Sequence, residues 1–134
     1  MKADMTFDWK NKIILVAEDE PANYLFIEKI IHSTNATLIR AHNGAEAIEM
    51  VNSNEGIDLV LMDIYMPGVD GFEATQKIRK IRPGLPIVAQ TCYDTLLSKE
   101  KIEQACFDDF VRKPININKL LIIIEKYLKT LAHA

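Results

Sequence analysis

The sequence predicts an α/β domain of three layers, a doubly wound parallel sheet of five strands with five helices covering its faces. Three observations carry that prediction. Short apolar runs alternate with segments of helical period five times along the 134 residues. Strands that alternate with helices of this length pair in parallel, because the chain must cross back over one face before each new strand. Runs one, three and four are almost uninterruptedly apolar, as central strands covered on both sides are.

The elements follow in order. "KIILVA" (12–17) is rich in β-branched residues and reads as the first strand; Pro21 then opens a helix with apolar positions Leu25, Ile27, Ile30 and Ile31. "TLIRA" (37–41) is the second strand, and its Arg40 suits an edge. Asn43 with Glu46 three residues on resembles a capping box ahead of "AEAIEMV". "IDLVLM" (57–62) runs into Asp63 and a Pro/Gly-rich bend, then "GFEATQKIRKI" (71–81). "LPIVAQT" (85–91) leads into "DTLLSKEKIEQA" (94–105), and "FDDFVRK" (107–113) leads past Pro114 into "NINKLLIIIEKYLKTLA" (116–132). In this last helix Ile117, Leu120, Leu121, Ile124, Leu128 and Leu131 form a core stripe, which Ile122, Ile123 and Tyr127 widen. The surplus is either a deeply embedded helix or an apolar edge for a partner or a second copy. Residues 1–11 are polar apart from Phe7 and Trp9 and read as a leader or linker, packed loosely on a domain spanning 12–134.

The totals narrow the function. A chain of this length holds one core, so one fold must carry the activity. Sixteen Lys+Arg against nineteen Asp+Glu, with no basic stripe, argue against direct nucleic-acid binding. Two cysteines, Cys92 and Cys106, are no disulfide framework, which points to the cytoplasm. No signal-peptide core opens the chain, and no stretch of about 18 apolar residues suggests a membrane span. His32, His42 and His133 are not spaced with cysteine as zinc ligands are, and neither G-x-x-x-x-G-K-[ST] nor G-x-G-x-x-G occurs.

Ligand sites in open parallel sheets lie beyond the carboxyl ends of the strands. Glu18 and Asp19 follow the first strand, Asp63 the third, Thr91 closes the fourth and Lys113 the fifth. Any one of these alone is ordinarily a helix cap or a solvated side chain; their convergence at one sheet edge is what that explanation leaves over. Three crowded carboxylates repel, and a hard divalent ion such as Mg²⁺ relieves them, held by carboxylates and a phosphate oxygen. A carboxylate in such a site can attack phosphorus to form an acyl phosphate. The charge on a transferring phosphoryl group asks for a nearby cation and a hydroxyl donor, which Lys113 and Thr91 supply. The buried strand fixes Asp63, and the "MPG" turn is expected to leave its oxygens open to a donor.

The motifs "VAEDE", "LMDIYMPGVDG", "VAQTCY" and "DDFVRKP" stand in the order and spacing found in response-regulator receiver domains, the phosphoacceptor modules of two-component signalling. The chain resembles that family over roughly residues 12–131. The resemblance implies a flavodoxin-like strand order 2-1-3-4-5. It implies that Asp63 is the phosphorylated residue, that Glu18, Asp19 and the backbone carbonyl of Tyr65 join Asp63 around Mg²⁺, and that Thr91 and Lys113 bind the phosphoryl group. It also implies a cis Lys113–Pro114 bond, and a switch in which Thr91 is drawn in and Phe110 turns inward, repacking the face of the fourth helix, fifth strand and last helix. That face is a candidate dimer surface. The donor would be a histidine kinase or a histidine phosphotransfer domain. The leader "FDWKNKIILVAEDEPANYLF" resembles the segment before the C-terminal receiver of bacterial hybrid histidine kinases, so the chain is expected to be an excised piece of such a kinase or a stand-alone regulator.

Departures from the family matter too. Phe110 lacks the hydroxyl that a tyrosine would bring, and it serves equally as a plain core residue. Cys106 stands where relatives usually carry the glycine that ends the fourth helix, a position suited to positive φ. Tyr65 and Tyr93 lie two residues beyond Asp63 and Thr91, where their rings either overhang the phosphoryl group and slow its hydrolysis or simply lie on the surface. A dehalogenase-like Mg²⁺ phosphohydrolase is the enzymatic alternative, but Tyr65 occupies the place of its second acid. A receiver-like binding module without phosphorylation is the other, and it predicts a missing Asp, Thr or Lys.

Overall fold

β1 (Ile13–Ala17), β2 (Thr37–Ala41), β3 (Leu59–Asp63), β4 (Ile87–Thr91) and β5 (Asp109–Arg112) form one sheet of order β2-β1-β3-β4-β5, every pair parallel. The computed structural model describes residues 7–91, 100, 104 and 107–130. Among them four helices stand complete: α1 (Pro21–His32), α2 (Gly44–Ser53), α3 (Gly71–Ile81) and α4 (Ile117–Leu128), the last being the fifth helix expected. The helix expected over 94–105 falls outside the described residues except at Glu100 and Gln104, which are helical. Cys92, Tyr93, Cys106, Leu131 and His133 also lie outside them.

Local sequence explains the helix boundaries. Pro21 sits in the first turn of α1, where its missing N–H costs nothing. Asn43, Asp70 and Asn116 cap α2, α3 and α4, each side chain accepting the backbone N–H three residues on. Glu46 completes the expected box one residue early, its carboxylate accepting from the His42 amide at 2.7 Å.

Alternation along the strands sorts the core into two layers. Ile14, Val16, Leu59, Leu61 and Val88 face α1 and α4, meeting Ile27, Ile31, Leu120 and Ile124. Leu15, Val60, Met62 and Ile87 face α2 and α3, meeting Ala47, Val51, Ala74 and Ile78. β1, β3 and β4 are buried almost throughout, as their unbroken apolar runs require, whereas β2 is an edge and largely half-buried.

Three details differ from the sequence reading. Leu25 is 57% exposed: the buried stripe of α1 is Ile27, Ile30 and Ile31, and two residues back from Ile27 is the far side of a helix. Ile117, the first residue of α4, is 49% exposed together with Ile122, while Ile123 and Tyr127 pack partly against the core, so most of the expected surplus edge is in use. The leader, finally, is not loose at its aromatics. Trp9 is wholly buried and stacks on Phe7 with ring centroids 5.6 Å apart; its amide donates to the Thr34 carbonyl, and its indole N–H donates to the buried Glu125 carboxylate at 2.8 Å. An indole enters a core readily once its N–H is satisfied, and Glu125 of α4 satisfies it. No helix among the described residues is long and apolar enough to cross a membrane.

Candidate functional site

The parallel register brings the strand ends level. Ala17 pairs with Met62, Asp63 with Gln90 and Thr91 with Arg112, so the residues closing these strands share one edge of the sheet. Asp63 is itself the last residue of β3, one place earlier than a residue after the strand would be. Glu18 extends β1 by one ladder bond, its amide donating to the Ala41 carbonyl at 3.0 Å.

At that edge the carboxylates of Glu18, Asp19 and Asp63 offer oxygens within 4.8 Å of one another. Lys113 reaches into the cluster, its Nζ 3.1 Å from Asp63 Oδ2 and 3.4 Å from Glu18 Oε1. The Lys113–Pro114 peptide bond is cis, as the resemblance implied. The Tyr65 amide donates to Asp63 Oδ1 at 3.1 Å while the Tyr65 side chain lies exposed. Thr91 is buried, and its hydroxyl has no hydrogen-bond partner among the described residues.

The turn after β3 closes over Asp63 more than the sequence suggests. Asp63 is 4% exposed, with one oxygen held by the turn amide and the other by Lys113, and Asp19 alone of the three acids is exposed. Gly68 takes φ +77° in this turn. Gly71, at the start of α3, is needed for close approach, since a Cβ there would lie 2.7 Å from Ile64 Cα; its amide donates to the Ile64 carbonyl.

Electrostatics follow from this crowding. Burial first, and then the charge of Glu18, push the Asp63 pKa up to about 6 against the pull of Lys113. Burial works to lower the Lys113 pKa, but the attraction of Asp63 and Glu18 outweighs it and holds the ammonium above its ordinary value. The cluster is therefore a set of hard oxygen donors with Lys113 as the compensating cation among the described residues, a donor set suited to Mg²⁺. The Thr91 hydroxyl, without a partner among the described residues, suits an added group rich in acceptor oxygens.

Phe110 is half-buried, packed with Ile64, Ala89, Phe72 and Phe107, with the Arg112 guanidinium 6.0 Å from its ring centre. Tyr93, the other ring expected to flank the site, lies outside the described residues.

Sequence reasoning missed the residues that hold Glu18. Asn23 Nδ2 donates to Glu18 Oε1 at 2.6 Å and to Gln90 Oε1 at 3.0 Å, the Glu20 amide donates to Glu18 Oε2 at 3.0 Å, and Arg40 Nε donates to the Glu18 carbonyl at 3.1 Å. Arg40 also lies over the Tyr24 ring, 4.8 Å from its centre. Gln90 gave a legible signal, a polar residue interrupting the apolar run of β4. Asn23 gave none, because helix spacing alone does not say what its side chain meets.

A family model described as "Response regulator receiver domain" matches residues 14–125. The chain is 34% identical over 119 residues to "Sensor protein GacS" of Pseudomonas syringae pv. syringae, a match covering 85% of this chain and 13% of that protein. It is 29% identical over 120 residues to "Polar-differentiation response regulator DivK" of Brucella anthropi, covering 87% of this chain and 96% of that one. Among solved structures it superposes with TM-score 0.83 at 28% identity on the receiver domain of sensor histidine kinase PA1611 from Pseudomonas aeruginosa PAO1, described "with magnesium ion coordinated in the active site cleft"; that match covers 90% of this chain and 99% of the other. The chain thus spans about an eighth of the length of the sensor protein it matches.

Proposed function

The chain belongs to the response regulator receiver domain family, and on that premise we propose that Asp63 is its phosphoacceptor, taking a phosphoryl group from a phosphohistidine in a phosphorelay. One observation carries the reading: three carboxylates and Lys113 share a sheet edge beside a buried hydroxyl with no partner among the described residues. An Asp63 oxygen attacks phosphorus, the N–P bond of the donor breaks, and the imidazole leaves with the bonding pair and takes up a proton. Glu18, Asp19, Asp63 and the Tyr65 carbonyl are the residues that would hold Mg²⁺, which when bound supplies positive charge to the transferring phosphoryl oxygens. Lys113 then exchanges its Asp63 contact for a phosphoryl oxygen, and Thr91 donates its hydroxyl to another.

Phosphorylation in this reading biases two packings, with Thr91 moving toward the phosphoryl group and Phe110 deeper into the pocket of Ile64 and Ala89. The repacked face, which includes β5 and α4, is where a second copy would dock. The donor is a histidine kinase or a histidine phosphotransfer domain, and the likeness to sensor kinases favours a hybrid kinase parent. Self-dephosphorylation is slow in this reading, since Tyr65 and Tyr93 follow Asp63 and Thr91 by two residues, where bulky rings would hinder attacking water.

The test is intact mass after incubation with acetyl phosphate, with and without Mg²⁺. A gain of one phosphoryl group that requires Mg²⁺ and disappears in Asp63→Asn is expected. Turnover of assorted phosphomonoesters would instead select the phosphohydrolase alternative, and no gain at all would select a module that binds without phosphorylation.

A further inference from the structure

β4 is buried from end to end, yet its fourth residue is Gln90, wholly buried and paired in the β3–β4 register with Asp63. Its Oε1 accepts from Asn23 Nδ2 at 3.0 Å, while its Nε2 has no partner among the described residues. A half-satisfied amide in a central strand costs stability that a leucine of similar size would not. What the residue does supply is orientation. Asn23 Nδ2 carries two hydrogens, and both have acceptors: Gln90 Oε1 and, at 2.6 Å, Glu18 Oε1. With the second hydrogen held by Gln90, the Asn23 amide turns its nitrogen and not its oxygen toward Glu18, a carboxylate that is wholly buried and accepts from the Glu20 amide through its other oxygen.

We propose that Asn23 and Gln90 form a buried amide relay that positions Glu18 and so sets the divalent-cation affinity of the acidic cluster. Both are positioning residues, acting through Glu18 and touching neither ion nor phosphoryl group. The inference rests on the reading of Glu18, Asp19 and Asp63 as an Mg²⁺ site. Remove Gln90 and the Asn23 amide is free to rotate; Glu18 then keeps Lys113 and the Glu20 amide but loses its fixed rotamer. Partners one shell out from a metal act in this way, and their loss typically weakens affinity about tenfold or more.

The test titrates Mg²⁺ into metal-free wild type, Gln90→Leu, Asn23→Ala and the double variant by calorimetry, alongside metal-free melting temperatures. Gln90→Leu is expected to melt at or above the wild-type temperature and to bind Mg²⁺ about tenfold more weakly. The double variant is expected to bind no more weakly than Asn23→Ala alone, because one relay is broken once. An affinity within about twofold of wild type in a folded Gln90→Leu protein overturns the relay and leaves the site reading standing. A metal-free melting temperature that falls along with affinity also overturns it, in favour of plain packing; Gln90→Met provides a second, more pliable apolar replacement should the leucine not fold. Wild type without measurable Mg²⁺ affinity would overturn the site reading and the relay together.

Discussion

Asp63 is a carboxylate kept where its charge is least welcome, and the metal-free protein should register that cost. Its unfolded pKa lies near the ordinary 3.8 and its folded pKa at about 6, so the unfolded state releases the proton first. A carboxyl group raised in this way leaves stability intact below about pH 4 and erodes it as pH rises toward 6, after which the loss is constant. Roughly two pH units correspond to about 3 kcal/mol. In EDTA, Asp63→Asn should therefore melt higher than wild type at pH 7.5, with the difference vanishing near pH 4. Melting curves across that range check this, and a pH-independent difference would refute it. The tyrosines make a second claim at this scale. Replacing Tyr65 and Tyr93 with alanine should shorten the half-life of the phosphorylated protein, followed by mass over time; an unchanged half-life would reduce both rings to surface residues.

Elements transmit these residue effects through close contacts. α3 can start where it does only because Gly71 lies against β3, so Gly71→Ala drives a methyl into the backbone of Asp63 and Ile64. Overpacking of that kind costs about 1–3 kcal/mol, and here the displaced backbone belongs to the proposed acceptor. Gly71→Ala should lower both the melting temperature and the Mg²⁺ affinity, which a substitution on the exposed face of α3 would not do. The leader is coupled to α4 in the same direct way. Trp9→Phe keeps an aromatic ring but withdraws one donor from Glu125, whose same oxygen still accepts from the Thr130 hydroxyl, a loss of about 1 kcal/mol. Chemical denaturation should register it as a lower midpoint with an unchanged slope.

The molecule as a whole offers one built-in probe, since Trp9 is its sole tryptophan. Trp9 belongs to the same core layer as β1, β3, α1 and α4, so its fluorescence and the far-ultraviolet dichroism of the sheet and helices should unfold in one coincident transition. An earlier fluorescence change would mean that the leader detaches on its own. Mg²⁺ should raise both transitions together, because an ion that binds only the folded state stabilises all of it by mass action.

How much of this was legible in the chain depends on the range of the interaction. Strand and helix periodicity, the cap Asn43 and the short list Glu18, Asp19, Asp63, Thr91 and Lys113 are all local, and the apolar runs of β1, β3 and β4 already implied a sheet covered on both faces. The order of the strands came from likeness to a family, and the register that levels their ends is settled by packing between residues far apart in sequence. The burial of Trp9 against Glu125, 116 residues away, is of that second kind, as is the meeting of Asn23 with Gln90 across 67. Sequence alone determined which side chains stand at the strand ends, because side-chain alternation and helix period act over a few residues. The tertiary structure decided which of them touch, how deeply Asp63 is enclosed and what holds Glu18, because those depend on contacts that exist only once distant segments are packed together.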